Sequence, residues 1–198
     1  MSIKKRKIEE RLKQNKIDLC LCNNHGIIKK LNKIFSLGYT PSRDNETYKC
    51  LLKNHYQATH LINCFAHSCF NLTNRQIEDY QITYEESRGF RVLPSWTTYN
   101  YEDNLNYLVK FVEATGLNIE ECSLYANINH NQWKIAYFVN NKTYDFHFML
   151  QEKDGKWSSK RGKEPDIELY KTPPETFKEN YKLFGFYKIT NNLTHEKG

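Results

Sequence analysis

At 198 residues the chain is long enough for one well-buried domain and short for two independent ones, and residues 1–38 read as a helical extension of that single unit. A hydrophobic fraction of 39% and an aromatic fraction of 14% exclude a disordered chain. The formal charge of +6 permits contact with nucleic acid or other acidic partners, but the excess sits in residues 4–7 and 156–163, and no second basic segment with interleaved aromatics builds a nucleic-acid site.

No window approaches the roughly 20 consecutive apolar residues of a membrane span. The opening Met1-Ser2-Ile3-Lys4-Lys5 leads into charged helix and not into the apolar core of a signal peptide. A cytoplasmic protein without membrane contact is expected. Its six cysteines then read as reduced thiols or ligands, not as a disulfide framework.

The first helix is predicted over residues 3–17, where Ile8, Leu12 and Ile17 share a face and Glu9 and Glu10 sit among the lysines. A second follows over 24–37, with Ile27, Ile28, Leu31, Ile34 and Phe35 as its apolar stripe and Gly38 as its stop. Residues 39–46, with Pro41, Ser42, Asp44 and Asn45, form a surface loop. Residues 61–72 give an almost wholly apolar helix entered at Asn63 as its cap, and 73–80 starts another with Thr73 capping and Gln76 three residues on.

A strand is expected over 89–96, ended by Pro94, and a helix over 101–115 with Leu105, Leu108, Val109 and Val112 in register before Gly116. Residues 133–139 and 144–150 flank Asn140-Asn141-Lys142 and read as a β-hairpin. Asp154-Gly155 reverses the chain into 156–159, and 181–190 supplies a last strand. Helices precede strands, so the expected class is α+β: a helical N-terminal half whose central Cys-bearing helix packs on an antiparallel sheet from the C-terminal half.

The chemistry centres on Cys64 and His147. A cysteine opening a helix feels the positive end of the macrodipole, which favours thiolate, and a histidine projecting from a strand can complete an ion pair. Gln57 lies seven residues before Cys64 and is a candidate oxyanion donor. Metal binding is the competing chemistry, because Cys20-x-Cys22-x-x-His25 and Cys64-x-x-His67-x-Cys69 place soft ligands at chelating spacing. An ideal helix does not aim Cys64, His67 and Cys69 at one ion, so no metal and no cofactor is expected.

Asn63-Cys64-Phe65-Ala66-His67, then Asp145-Phe146-His147-Phe148-Met149-Leu150-Gln151, then Asp154-Gly155-Lys156-Trp157-Ser158-Ser159-Lys160-Arg161-Gly162 together resemble a group of bacterial and phage papain-like-fold cysteine hydrolases. In that group an Asn-Cys-aromatic segment precedes a strand with His, Gln, Asp-Gly and Trp-Ser-x-Lys-x-Gly. The likeness covers about half of the chain, from about residue 61 to 162. It implies a papain-like fold, Cys64 as nucleophile and His147 as general base. Where the pattern often has a histidine after Trp-Ser, this chain has Ser159, which can hydrogen-bond an imidazole but brings no carboxylate charge. Asp145 shares a strand face with His147 but is poorly placed to orient it.

Two functions follow from these residues. One is a cysteine hydrolase cleaving an amide, isopeptide or related acyl bond of a protein or peptide. The other is a non-catalytic phage or mobile-element inhibitor that blocks a host protein or nucleic-acid machine. They part at Cys64, which is reachable and of depressed pKa in the first and buried and inert in the second.

Overall fold

The computed structural model describes residues 63–71, 101–140, 142–143, 145–162, 167–178 and 180–192, together with residue 29. Two helical elements are present among them, the π-helix Ala66–Phe70 and the α-helix α1 (Tyr101–Ala114). The rest is built on strands β1 (Leu117–Cys122), β2 (Gln132–Asn140), β3 (Asp145–Gln151), β4 (Trp157–Lys160), β5 (Ile167–Tyr170), β6 (Thr176–Phe177) and β7 (Tyr181–Asn191). They form one antiparallel sheet ordered β1-β7-β2-β3-β4-β5, with β6 paired to β7 off that path.

Local chemistry explains the turns. α1 stops at Gly116, whose φ of 93° suits the one residue without a Cβ. Its N–H donates to the Glu113 carbonyl at 2.9 Å. The β2–β3 turn closes on Asn140, whose Oδ1 accepts the N–H groups of Lys142 at 3.0 Å and Thr143 at 3.3 Å. The β3–β4 turn uses Gly155 at φ 83°, with Asp154 Oδ1 accepting the Lys156 N–H at 3.0 Å as an Asx turn does.

The sheet is covered on both faces, which is why β2 is buried along nearly its whole length and its sequence shows no polar alternation. One face carries Ile135, Tyr137, Phe148, Leu150 and Ile189 against Cys64, Phe65 and Phe70 of the π-helical segment and Leu108, Phe111 and Val112 of α1. Phe65 joins these elements, meeting Phe70, Phe111 and Phe148 edge-on at centroid distances of 5.4, 6.0 and 5.9 Å. Such pairs each add about 0.5–1.5 kcal/mol beyond the area they bury. The other face gathers Ala136, Phe138, Met149, Trp157 and Phe177.

Several expectations are corrected. The described chain is mostly antiparallel sheet with two helical elements, not a helical half packed on a sheet, so the α+β, papain-like architecture does not hold. Of the helix expected over 61–72, the described residues 63–71 hold the five-residue π-helix Ala66–Phe70, preceded by two α-helical residues, Cys64 and Phe65. β1, β5 and β6 were not expected. β1 and β5 are the sheet's edges, and β6 is two residues long. Short, half-exposed strands carry a weak apolar pattern. The elements expected over 3–17, 24–37, 39–46, 73–80 and 89–96 lie outside the described residues. Among the described residues no helix is long and apolar enough to cross a membrane.

Candidate functional site

The Cys64 segment is set by Asn63. Its Oδ1 accepts the Ala66 N–H at 2.9 Å and its carbonyl accepts the His67 N–H at 2.9 Å, the bonds of an N-cap. The cap aims Cys64 at the rim of the sheet. There the β3–β4 ladder runs from Gln151↔Trp157 to Met149↔Ser159, while β3 continues back to Asp145 beyond it. The Cys64 thiol takes a hydrogen bond from the Phe148 main-chain N–H in that stretch.

Cys64 is 7% exposed, and burial pushes its thiol up to about 12, against the hydrogen bonds from Phe148 and Phe65 that favour the thiolate. A rise from 9.0 to about 12 is worth on the order of 4 kcal/mol. A helix N-terminus supplies about 0.3–1 kcal/mol. Burial therefore outweighs the macrodipole, and the expected depressed thiol is corrected: in the resting protein Cys64 is a neutral thiol.

His147 reaches the same rim from the other side. Strand alternation sends Phe146 and Phe148 to the helix-covered face and His147 to the face of Phe177, on which its ring stacks at 4.7 Å and 14°. Its Nε2 shares a hydrogen bond with Ser159 Oγ at 2.8 Å, so the serine expected to meet the imidazole does so across β3 and β4. The ring is 6% exposed. Burial, first, and then the Arg161 and Lys178 charges push its pKa down to about 3, with Glu168 opposing. It is a neutral base.

Both side chains line one cavity of about 270 Å³ that also includes Asn63, Asp145, Arg161, Lys178 and Tyr181. Asp145 does not serve His147. One of its carboxylate oxygens accepts the Tyr181 hydroxyl at 2.7 Å and the other the Phe146 N–H at 2.8 Å. Lys178 pairs with Glu168. Gln57 and the Cys20, Cys22 and His25 set lie outside the described residues. His67, at chelating spacing from Cys64 and Cys69, shares a hydrogen bond through Nε2 with Ser158 Oγ at 2.9 Å, and among the described residues no three donors are grouped to hold an ion.

Sequence reasoning missed Arg161, Lys178 and Tyr181 at the cavity, and the full burial of Lys160. The signal for the first and last was the Lys160-Arg161-Gly162 run, whose charges read as a solvated basic surface.

Residues 53–181 match the model of a family described as Domain of unknown function (DUF7689). The chain belongs to that family. No curated protein and no solved structure matches it. The DUF7689 segment spans Gln57, Cys64, His147 and Ser159, so all four candidate residues fall inside the family's own boundaries.

Proposed function

We propose that the chain is a cysteine hydrolase that cleaves an amide, isopeptide or related acyl bond of a protein or peptide through Cys64 and His147. The observation that carries this reading is that both side chains line one cavity, with Ser159 bonded to the imidazole. Cys64 Sγ attacks the acyl carbon, its proton passes to His147, and the imidazolium returns the proton to the departing nitrogen. Water then cleaves the thioester, with His147 again taking and returning a proton.

The resting charges limit how this begins. With the thiol near 12 and the imidazole near 3, the separated ion pair lies on the order of 10 kcal/mol above the neutral pair. Thiolate formation is therefore coupled to substrate binding. The test is acyl-enzyme trapping with activated peptidyl esters, read by intact mass. The expected result is one acyl adduct on Cys64 that hydroxylamine removes, absent in C64S and formed at least about 100-fold more slowly in H147A, as for loss of a general base. An adduct rate unchanged in H147A sinks the reading.

One observation favours a second reading. A buried, neutral Cys64 is what a non-catalytic inhibitor of a host protein or nucleic-acid machine would carry. In that case C64S retains the biological effect in full and no acyl adduct forms.

A further inference from the structure

We infer that the side-chain amide of Asn63 is the oxyanion donor of the Cys64 site: its Nδ2 holds the oxygen that gains charge when Cys64 adds to an acyl carbon. The inference rests on the hydrolase reading and adds to it a group that touches the substrate.

Asn63 stands directly before the nucleophile and lines the same cavity as Cys64 and His147. The cap fixes which end of its amide is left for that cavity. The atom 2.9 Å from the Ala66 main-chain nitrogen receives an N–H, so it is the oxygen and the other end is the nitrogen. The Asn63 carbonyl is also taken, by the His67 N–H at 2.9 Å. Nδ2 brings two N–H donors, and among the described residues it has no acceptor. The residue is half-buried, so a group in the cavity can meet that nitrogen.

The other polar groups at the cavity have different work. Asp145 is acidic and accepts the Tyr181 hydroxyl at 2.7 Å. Lys178 pairs with Glu168 and lies over the Phe177 ring at 5.6 Å, on the His147 side. Arg161 acts on His147 as well. The N–H groups of Phe65 and Phe148 go to the thiol itself. Asn63 is thus the side-chain donor carried by the nucleophile's own segment.

In the acylation step the thiol proton passes to His147, the Sγ–C bond forms and the carbonyl π pair moves onto oxygen. A donor in an oxyanion hole stands about 2.7–3.1 Å from that oxygen, and one already held in place meets the new charge without reorganising. The Asn63 amide is held by its own cap bond. On collapse the pair returns to the carbonyl, the C–N bond breaks and the imidazolium protonates the departing nitrogen. Asn63 exchanges no proton.

The experiment compares two reactions of Cys64 in the full chain. Acylation by an activated peptidyl ester passes through an oxyanion, whereas thiolation by methyl methanethiosulfonate occurs at sulfur and forms none. Their ratio cancels any change in thiolate supply. Two variants remove the donor: N63D is isosteric and keeps a cap oxygen, and N63G is neutral at a position where glycine is tolerated. In both, the ratio of acylation to thiolation is expected to fall about 100-fold, the worth of one oxyanion donor. Equal slowing of the two reactions would mean that Asn63 only positions the thiol, and overturns the assignment. A ratio that falls in N63D alone reports repulsion by the new carboxylate and also overturns it. The hydrolase reading stands in either case. A wild-type chain thiolated at Cys64 but never acylated overturns that reading and the assignment with it. Should N63G fail to fold, unaltered protein gives a second readout. The Asn63 side-chain ¹H–¹⁵N resonances are expected to move to lower field when a peptidyl aldehyde forms a hemithioacetal on Cys64, and not when the methyl disulfide forms. Equal movement in both adducts overturns the assignment.

Discussion

Ser159 stands beside His147 with a neutral hydroxyl, 2.8 Å from the ring Nε2, where a charged triad would place a carboxylate. Its hydroxyl donates or accepts according to the tautomer at Nε2. S159A leaves a buried ring nitrogen without that bond, and such an orphaned group costs about 1–3 kcal/mol. The variant is expected to lose that much in urea unfolding and to acylate more slowly. Unchanged stability would mean that water replaces the hydroxyl. His147 itself makes stability depend on pH, and the sign follows from burial. Its folded pKa of about 3 lies below the ordinary 6.5, so in acid the unfolded chain binds a proton that the folded chain refuses. The folded state is thus progressively disfavoured as pH falls from about 6.5 toward 3, by up to about 5 kcal/mol in total. H147F, which can retain the stack on Phe177, is expected to flatten the unfolding free energy over that window. A wild-type curve no steeper than the variant's refutes the assignment.

At the scale of elements, the residues that announced themselves were those whose chemistry is local. Asn63 as a cap, Gly116 as a helix stop and Asp154-Gly155 as a reversal each depend on neighbours within four positions, and each is present. The edge strands were not legible. β1 reads Leu-Asn-Ile-Glu-Glu-Cys, with Asn118, Glu120 and Glu121 exposed, and its pairing partner β7 begins at Tyr181, 59 positions after β1 ends at Cys122. Nothing in a short window supplies that partner. The Cys64 segment shows the limit from the other side: its apolar run looked like a long helix because burial, not helical period, selects Cys64 to Phe70. N63A is therefore expected to cost about 0.5–2 kcal/mol, the usual worth of a cap, and to slow Cys64 acylation, since the cap fixes where the thiol meets the sheet. Stability loss without any change in acylation would separate the cap from the site.

Across the whole molecule, the decisive property is that the sheet separates the two candidate groups until its end. Alternation in β3 made it plain that Asp145 and His147 share a face, but which face the Cys64 segment covers is a tertiary fact that no spacing encodes. The separation makes the two cores distinguishable at His147. Phe177 of β6 stacks on that ring and packs against Phe138, Tyr170 and Tyr181. Phe111 of α1 packs on the opposite side against Phe65 and Phe70. Both phenylalanines are buried, so F177A and F111A are each expected to lose about 3–5 kcal/mol. Only F177A admits water to the imidazole, and with its burial relieved the His147 pKa should climb from about 3 toward 6.5. Histidine Cε1–Hε1 resonances followed from acid to neutral pH, with H147F for assignment, read that change directly. In F111A the His147 resonance should keep its titration near pH 3. Equal movement in both variants would mean that the imidazole senses global loosening, and the two-faced arrangement of the site would have to be abandoned.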